Sequence, residues 1–589
     1  MKKLTAGPLT LNYSEGSLWN ITDGSEEVIR RIYLVFQDIN WTSRPFTIKN
    51  EEWQINEKSF TAKLQMQGTQ DAKDFSVELF ITGSESGEIT FGFIGSTTKP
   101  FLRNRLGLCL LHPVANLAGR SCELLRPDGS IEKSIFPKNI SPDQPFLNLA
   151  GISHELSSGK TALVKFEGEV FESEDHRNWS DASYKTYCTP ISLPFPAEVQ
   201  AGAQIKQSIK VSLNGGAAES SESDQVLGNL ISVSNKPIPL PEIGLGLNSI
   251  AEHLELREYS GFEELGIQHL RLFLNVSSAS KSDVAKALDI TKKLGIKLDI
   301  SLTAEDPGQV RNFLGSLGEL NQEINQLFLF SSKDKTTPAE FINAVREVSS
   351  NDYEIVGGTD LYFTELNRNP HCTEFADQIN FSINPQVHSF DDRTLIQNAS
   401  TQKTIALNAS KIAAGKSINV GPITLRPRYN PNATQPEKDV SNTPLPSSVD
   451  ARQRTWFTEG WTAMSLRSIA ESSTVSKVTY FETLGWRGIK EFSTGSKDPI
   501  NFPSVSGEKF PVWNLIAALK GFTHILPTES SSPETVDSLI LRLESSLKVI
   551  LVNFSTIEQE VEFRGVDLAP QMLSPESVTY LEIKGAKYV

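Results

Sequence analysis

The chain is 589 residues long, enough for about two to four domains, and its 38 % hydrophobic and 22 % charged residues describe an ordinary globular protein. A net charge of −15 with no lysine or arginine run argues against nucleic acid or an anionic membrane as partner. No stretch approaches the ~20 apolar residues of a membrane span, and no apolar segment follows the lysines of MKKLTAGPLTLNYSEG, so a cytoplasmic location without a secretory leader is expected.

Residues 1 to 235 read as short strands. In TALVKFEGEVF, Val164, Phe166 and Val170 alternate with Lys165, Glu167 and Glu169. Comparable runs (IYLVFQDI, SVELFIT, EITFGFIG, QIKQSIKVSL), broken by turn residues, predict a β-sandwich domain over 1–235. Within it, FESEDHRNWSDASYKTYC (171–188) carries more charge than a core strand wants and more aromatic surface than a turn needs. It reads as a polar network between domains, with contact of Glu174 or Arg177 to substrate as the alternative. NGGAAESSESD (214–224) and NKPIPLPEI (235–243) read as turn and linker.

From Ile243 the pattern changes to short apolar strands alternating with helical segments. Eight such strands are expected at 243–248, 269–275, 297–303, 326–331, 353–359, 378–384, 417–425 and 477–483. They predict a (β/α)8 TIM-type barrel over 240–525, and the return to strands near the end predicts a small C-terminal β-sandwich over 530–589. In HLRLFLN, KLDISLT and QINFSIN the apolar residues take one face and Arg271, Phe273, Asp299, Ser301, Asn380 and Ser382 the other. A polar lumen follows, in which a buried Arg271 would pair with Asp299 of the next strand.

Barrel enzymes work at the C-terminal ends of their strands, and there the candidates gather. Asn275 ends the second strand. GGTDLYFTELNRNP carries Asp360 and Glu365, NPQVHSFDD carries Asn384 and His388, LRPRYNPN carries Arg426 and Arg428, and YFETLGWRG carries Glu482 and Trp486. Carboxylates in poorly solvated pockets serve as general acids and bases, an arginine anchors a substrate oxygen, and an indole floors a sugar ring. Glu365, Glu482 and His388 are therefore the expected catalytic residues, with Asn275, Asp360, Asn384, Arg426 and Trp486 binding substrate. Each has a structural alternative: Glu365 as a helix cap in TELN, Glu482 as partner of a lumen arginine, His388 as a solvated loop histidine. Asp391 and Asp392 read as a helix N-cap pair, and the polar loop 429–450 as a lid. The scattered cysteines (Cys109, Cys122, Cys188, Cys372) and histidines match no disulfide or metal spacing. No GxSxG, P-loop or dinucleotide fingerprint occurs, so neither metal nor cofactor is expected.

Several segments together resemble the bacterial D-apionate lactonase family, whose architecture is glycoside-hydrolase-like. They are AGPLTLNYSEGSLWNI, EVIRRIYLVFQDINW, NRLGLCLLHPVANLAG, FPKNISPDQPF, the 171–188 run with PISLPFP, GTDLYFTELNR and NPQVHSFDD. The resemblance implies hydrolysis of D-apionolactone, the lactone of a branched five-carbon sugar acid, to D-apionate in sugar catabolism, with a small sugar lactone as partner. Of Glu365 and Glu482, one would activate water and the other act as acid or bind a hydroxyl, while His388 or Arg426 stabilises the oxyanion. Two alternatives stand beside it. One is a glycoside hydrolase with a displaced carboxylate pair, since Ser331-Ser332 and Thr424-Leu425-Arg426 stand where the large retaining clan carries its glutamates. The other is a non-catalytic carbohydrate-binding protein. The oligomeric state is not legible.

Overall fold

The computed structural model describes residues 1–215, 228–348, 353–429 and 445–585. The expected linker at 214–224 and lid at 429–450 fall mostly outside them. Two compact units make up the chain. Most of 1–215 forms the first, and the second contains 178–181 together with nearly all of the chain from 228 onward.

The first unit is all β, with one sheet of eight strands and one of nine. Alternation drives it. In Thr161–Glu167, Ala162, Val164 and Phe166 are buried while Lys165 and Glu167 face solvent. Residues of both sheets, such as Ile29 and Leu108 of one and Phe91 and Val164 of the other, share a single apolar core, the expected sandwich. The 171–188 run is a hairpin in which Phe171–Asp175 pairs with Ser183–Tyr187. Arg177 is pinned by both oxygens of Asp175 (2.8 and 2.7 Å) and by the carbonyls of Pro137, Lys138 and Asn139. With every donor group aimed at fixed backbone or Asp175, its role is to hold the hairpin.

The second unit contains the closed parallel barrel: β1 (Glu242–Asn248), β2 (His269–Asn275), β3 (Lys297–Ala304), β4 (Ile324–Ser331), β5 (Glu354–Tyr362), β6 (Gln378–Ile383), β7 (Ile418–Ile423) and β8 (Val475–Leu484), with β1 paired to β8. Helices α1 (Lys281–Leu294), α2 (Pro307–Leu317), α3 (Ala339–Val348), α4 (Phe363–Arg368), α5 (Asp392–Ala413), α6 (Trp456–Ala470) and α7 (Val512–Ala518) follow β2 to β8 in turn. Helix α1 shows the local logic: Ser280 and Asp283 form a capping box, and Gly295 closes the helix at φ 69°. After β1 the chain makes three short 3-10 turns between 251 and 264 instead of the expected helix.

The lumen is polar, but its pairing differs from expectation. Although Arg271 and Asp299 are register neighbours, Arg271 donates to Asn380 Oδ1 (3.0 Å), the Gly421 carbonyl (3.1 Å) and Ser301 (3.3 Å), and stacks on Phe328. Ser301 lies two residues beyond Asp299 along β3, so the guanidinium leans toward the mouth and crosses to β6 and β7. Asp299 instead accepts from Lys477 of β8 (2.6 Å) and from Asn325. Burial, aided by nearby Arg428 and opposed by Asp360 and Asp299, pushes Arg271 down to about 9.

Two further sheets complete this unit. One joins Val536–Leu543, Ser546–Asn553 and Ser577–Ile583 with two short strands; the other contains Gln559–Arg564 and Thr528–Ser530. The strand Asn229–Val233 belongs to this second sheet, parallel to Gln559–Arg564, and not to the N-terminal sandwich whose expected limit was 235. Its buried Ile231 and Val233 join Leu526, Ile540, Val549 and Val561 in one core, which fixes the assignment.

Glu459 on α6 accepts from Tyr580 Oη at 2.6 Å. Burial pushes its carboxyl up to about 7, opposed by the hydrogen bonds from Tyr580 and Asn514. A carboxyl raised in the folded state favours folding below its unfolded value, and that contribution is lost as pH rises toward 7. Glu459→Gln is therefore expected to gain on the order of 2–3 kcal/mol over wild type at pH 8 and little at pH 4.5. Thermal unfolding of both proteins across that range checks it.

Candidate active site

At the ends of β5 and β6 the chain forms two polar constellations. Asp360, near the end of β5, accepts from Arg428 (2.8 Å) and Tyr429 Oη (3.4 Å), and Arg428 lies over the Phe273 ring of β2. Ser382 Oγ donates to the Asp360 carbonyl, tying β6 to β5 at this level. Glu365, in the first turn of α4, is buried and accepts from Lys335 of the β4 loop at 3.3 Å. The N-cap of α4 is Tyr362, without a side-chain cap bond, so Glu365 is not the cap of this helix.

His388 lies five residues beyond the end of β6. Its Nδ1 stands 2.7 Å from Asp181 Oδ2, and the Trp179 ring meets it edge-on at 5.7 Å. Asp181 Oδ1 accepts from Asn398 of α5 at 3.2 Å. Asp391 caps α5, accepting from Thr394 N, as its sequence position implies.

A third group sits at β8. Glu482 is buried and pairs with Arg487 at 2.6 Å across a tight turn in which its own N–H donates to the Arg487 carbonyl. The preceding Phe481 has φ 46°, a left-handed conformation costly for a bulky residue. It bulges β8 against β1, where a Cβ on Gly246 would lie 2.6 Å from the Phe481 carbonyl oxygen. Only glycine fits at 246, and the bulge sets where the Glu482 side chain emerges. His253, in the first 3-10 turn after β1, is buried, and among the described residues its Nδ1 has no hydrogen-bond partner. Burial pushes it down while Glu482 opposes, so the two groups sense each other. Trp486 donates to Ser496 Oγ and leans on Phe502.

Two family models match this chain. Residues 1–216 match "D-apionate lactonase, N-terminal domain", and residues 243–524 match "D-apionate lactonase, TIM barrel domain". The chain belongs to the D-apionate lactonase family. A D-apionate lactonase of Brucella anthropi is 26 % identical over 541 residues, covering 88 % of this chain and 87 % of that protein. Among solved structures, a bifunctional glucanase-xylanase from a metagenome library is similar at TM-score 0.40 and 9 % identity, over 61 % of this chain and 99 % of its own. A beta-arabinopyranosidase is similar at TM-score 0.30 and 9 % identity, over 99 % and 98 %.

In this member of the D-apionate lactonase family, the expected residues divide into those held at the mouth and those absorbed into scaffold. Asp360 joins Arg428 and Tyr429, and His388 gains Asp181. Glu365 and Glu482 each engage a cation, but different ones: Lys335 beyond β4 and Arg487 beyond β8. Asn384 is spent on Thr424 Oγ1 (2.7 Å), locking β6 to β7. Asn275 is exposed, its Oδ1 taken by Ser277 in a turn. Arg426 reaches Asp450 (3.4 Å), which Arg452 and Gln386 also hold. Sequence reasoning missed His253 and Asp181. The first sits in an ordinary polar run, AEHLELREY, and the second is 207 residues from its partner.

Proposed function

We propose that this chain hydrolyses a sugar-acid lactone, converting D-apionolactone to D-apionate, at the mouth of its barrel. The observation that carries the reading is the match to both domains of one lactonase family, with an Asp-oriented histidine and two buried glutamates at strand ends of the barrel. A lactone carbon is planar, like the flattened sugar ring that glycosidase barrels stabilise. Opening it requires a base for water, donors for the oxyanion and an acid for the departing ring oxygen.

His388 takes the proton from the attacking water. Lys335 or Arg487 faces the developing oxyanion, the His388 imidazolium returns the proton to the ring oxygen as it leaves, and Glu365 or Glu482 accepts a hydrogen bond from a substrate hydroxyl. The Asp360–Arg428–Tyr429 trio and the Trp486 indole hold the sugar hydroxyls. Pathway placement follows from the product: a sugar acid destined for catabolism. The test is a pH-stat time course with D-apionolactone. Stoichiometric acid release is expected; binding without acid release, or no acid release together with liberation of reducing sugar from an apiose- or pentose-containing glycoside, would overturn it.

A further inference from the structure

Resting on the assignment of His388 above, we infer that Asp181 is a positioning residue that acts through His388. It fixes the imidazole as the Nδ1–H tautomer, so that the basic lone pair lies on Nε2. Asp181 is 3 % exposed, and both of its oxygens are engaged: Oδ2 by His388 Nδ1 at 2.7 Å, Oδ1 by Asn398 Nδ2 at 3.2 Å. A carboxylate held at two points only accepts, which makes Nδ1 the donor and sets ring orientation as well as tautomer.

The backbone delivering Asp181 is built for position. Ser180 has φ 72°, a left-handed conformation that is strained for a non-glycine residue. The strain is held by Thr401 Oγ1 donating to the Ser180 carbonyl (3.1 Å) and by Asn367 Nδ2 donating to Asn178 Oδ1 (3.0 Å). The Arg368 guanidinium lies 5.3 Å from the Trp179 ring centre, and the His388 ring meets the same indole edge-on. Four consecutive residues, 178–181, thus each make a specific contact, and those of Trp179 and Asp181 bear directly on His388. Strain maintained by dedicated bonds beside a histidine at a strand end marks a functional constraint more than a packing one.

The test compares wild type, Asp181→Asn, Asp181→Glu, His388→Ala and the Asp181→Asn/His388→Ala double variant. With D-apionolactone, Asp181→Asn is expected to lower kcat by about 10²-fold or more with KM within about twofold, and Asp181→Glu to restore part of it. In the His388→Ala background, Asp181→Asn should cost nothing further, since both act as one unit. Wild-type kcat in Asp181→Asn, or losses that multiply in the double variant, would overturn the inference while leaving the function intact. If wild type opens no lactone, or His388→Ala turns over normally, the functional reading fails instead. The ¹⁵N spectrum of histidine-labelled protein then decides alone. An Nδ1–H tautomer at His388 that is lost in whichever Asp181 variant stays folded supports the inference; a tautomer unchanged by the substitution overturns it.

Discussion

Replacing Asp299 by alanine is expected to destabilise the barrel by about 3–5 kcal/mol, among the largest effects of any single substitution in this chain. Asp299 is completely buried, and Lys477, 4 % exposed, is its ion-pair partner at 2.6 Å. Without it, the ammonium keeps the Gln326 oxygen at 2.7 Å and a distant Glu242 oxygen at 3.9 Å. Those do not offset the desolvation of a buried charge. The paired change Asp299→Leu/Lys477→Met removes both charges and is expected to recover most of the loss. Urea unfolding of the single and double variants measures it. A double variant as unstable as the sum of its singles would show that the two groups are not coupled.

His388→Ala carries the largest expected effect on chemistry: a fall in kcat of about 10²–10⁴-fold, the range for removing a general base. The fold should survive, because His388 lies in the loop beyond β6 and keeps 16 % of its side-chain area exposed. A matched thermal melt with a collapsed rate would separate this from a packing defect. A loss confined to KM would make His388 a binding group instead.

What the sequence made legible was periodic. Alternation in KLDISLT separates Ile300 and Leu302 from Asp299 and Ser301, and the structure keeps that division between helix layer and lumen. Strand-end position is also what nominates Glu365, His388 and Glu482, whose roles are proposals. What stayed hidden depends on where long side chains reach. Arg271 passes its register neighbour because its guanidinium extends one layer up and across the lumen, and no spacing rule records that. The strand Asn229–Val233 looks like its predecessors, but its partners lie some 300 residues onward. Asp181 reads as one more acid in a charged run, since its meaning resides in a strained turn and in a histidine far along the chain.

Lactone opening at the barrel mouth is tested most directly by one time course: acid release from D-apionolactone by wild type, Glu365→Gln and Glu482→Gln, each verified as folded. Steady release by wild type and a rate at least about tenfold lower in one or both variants is the predicted result. No release by wild type, or release at the wild-type rate by both variants, would contradict it.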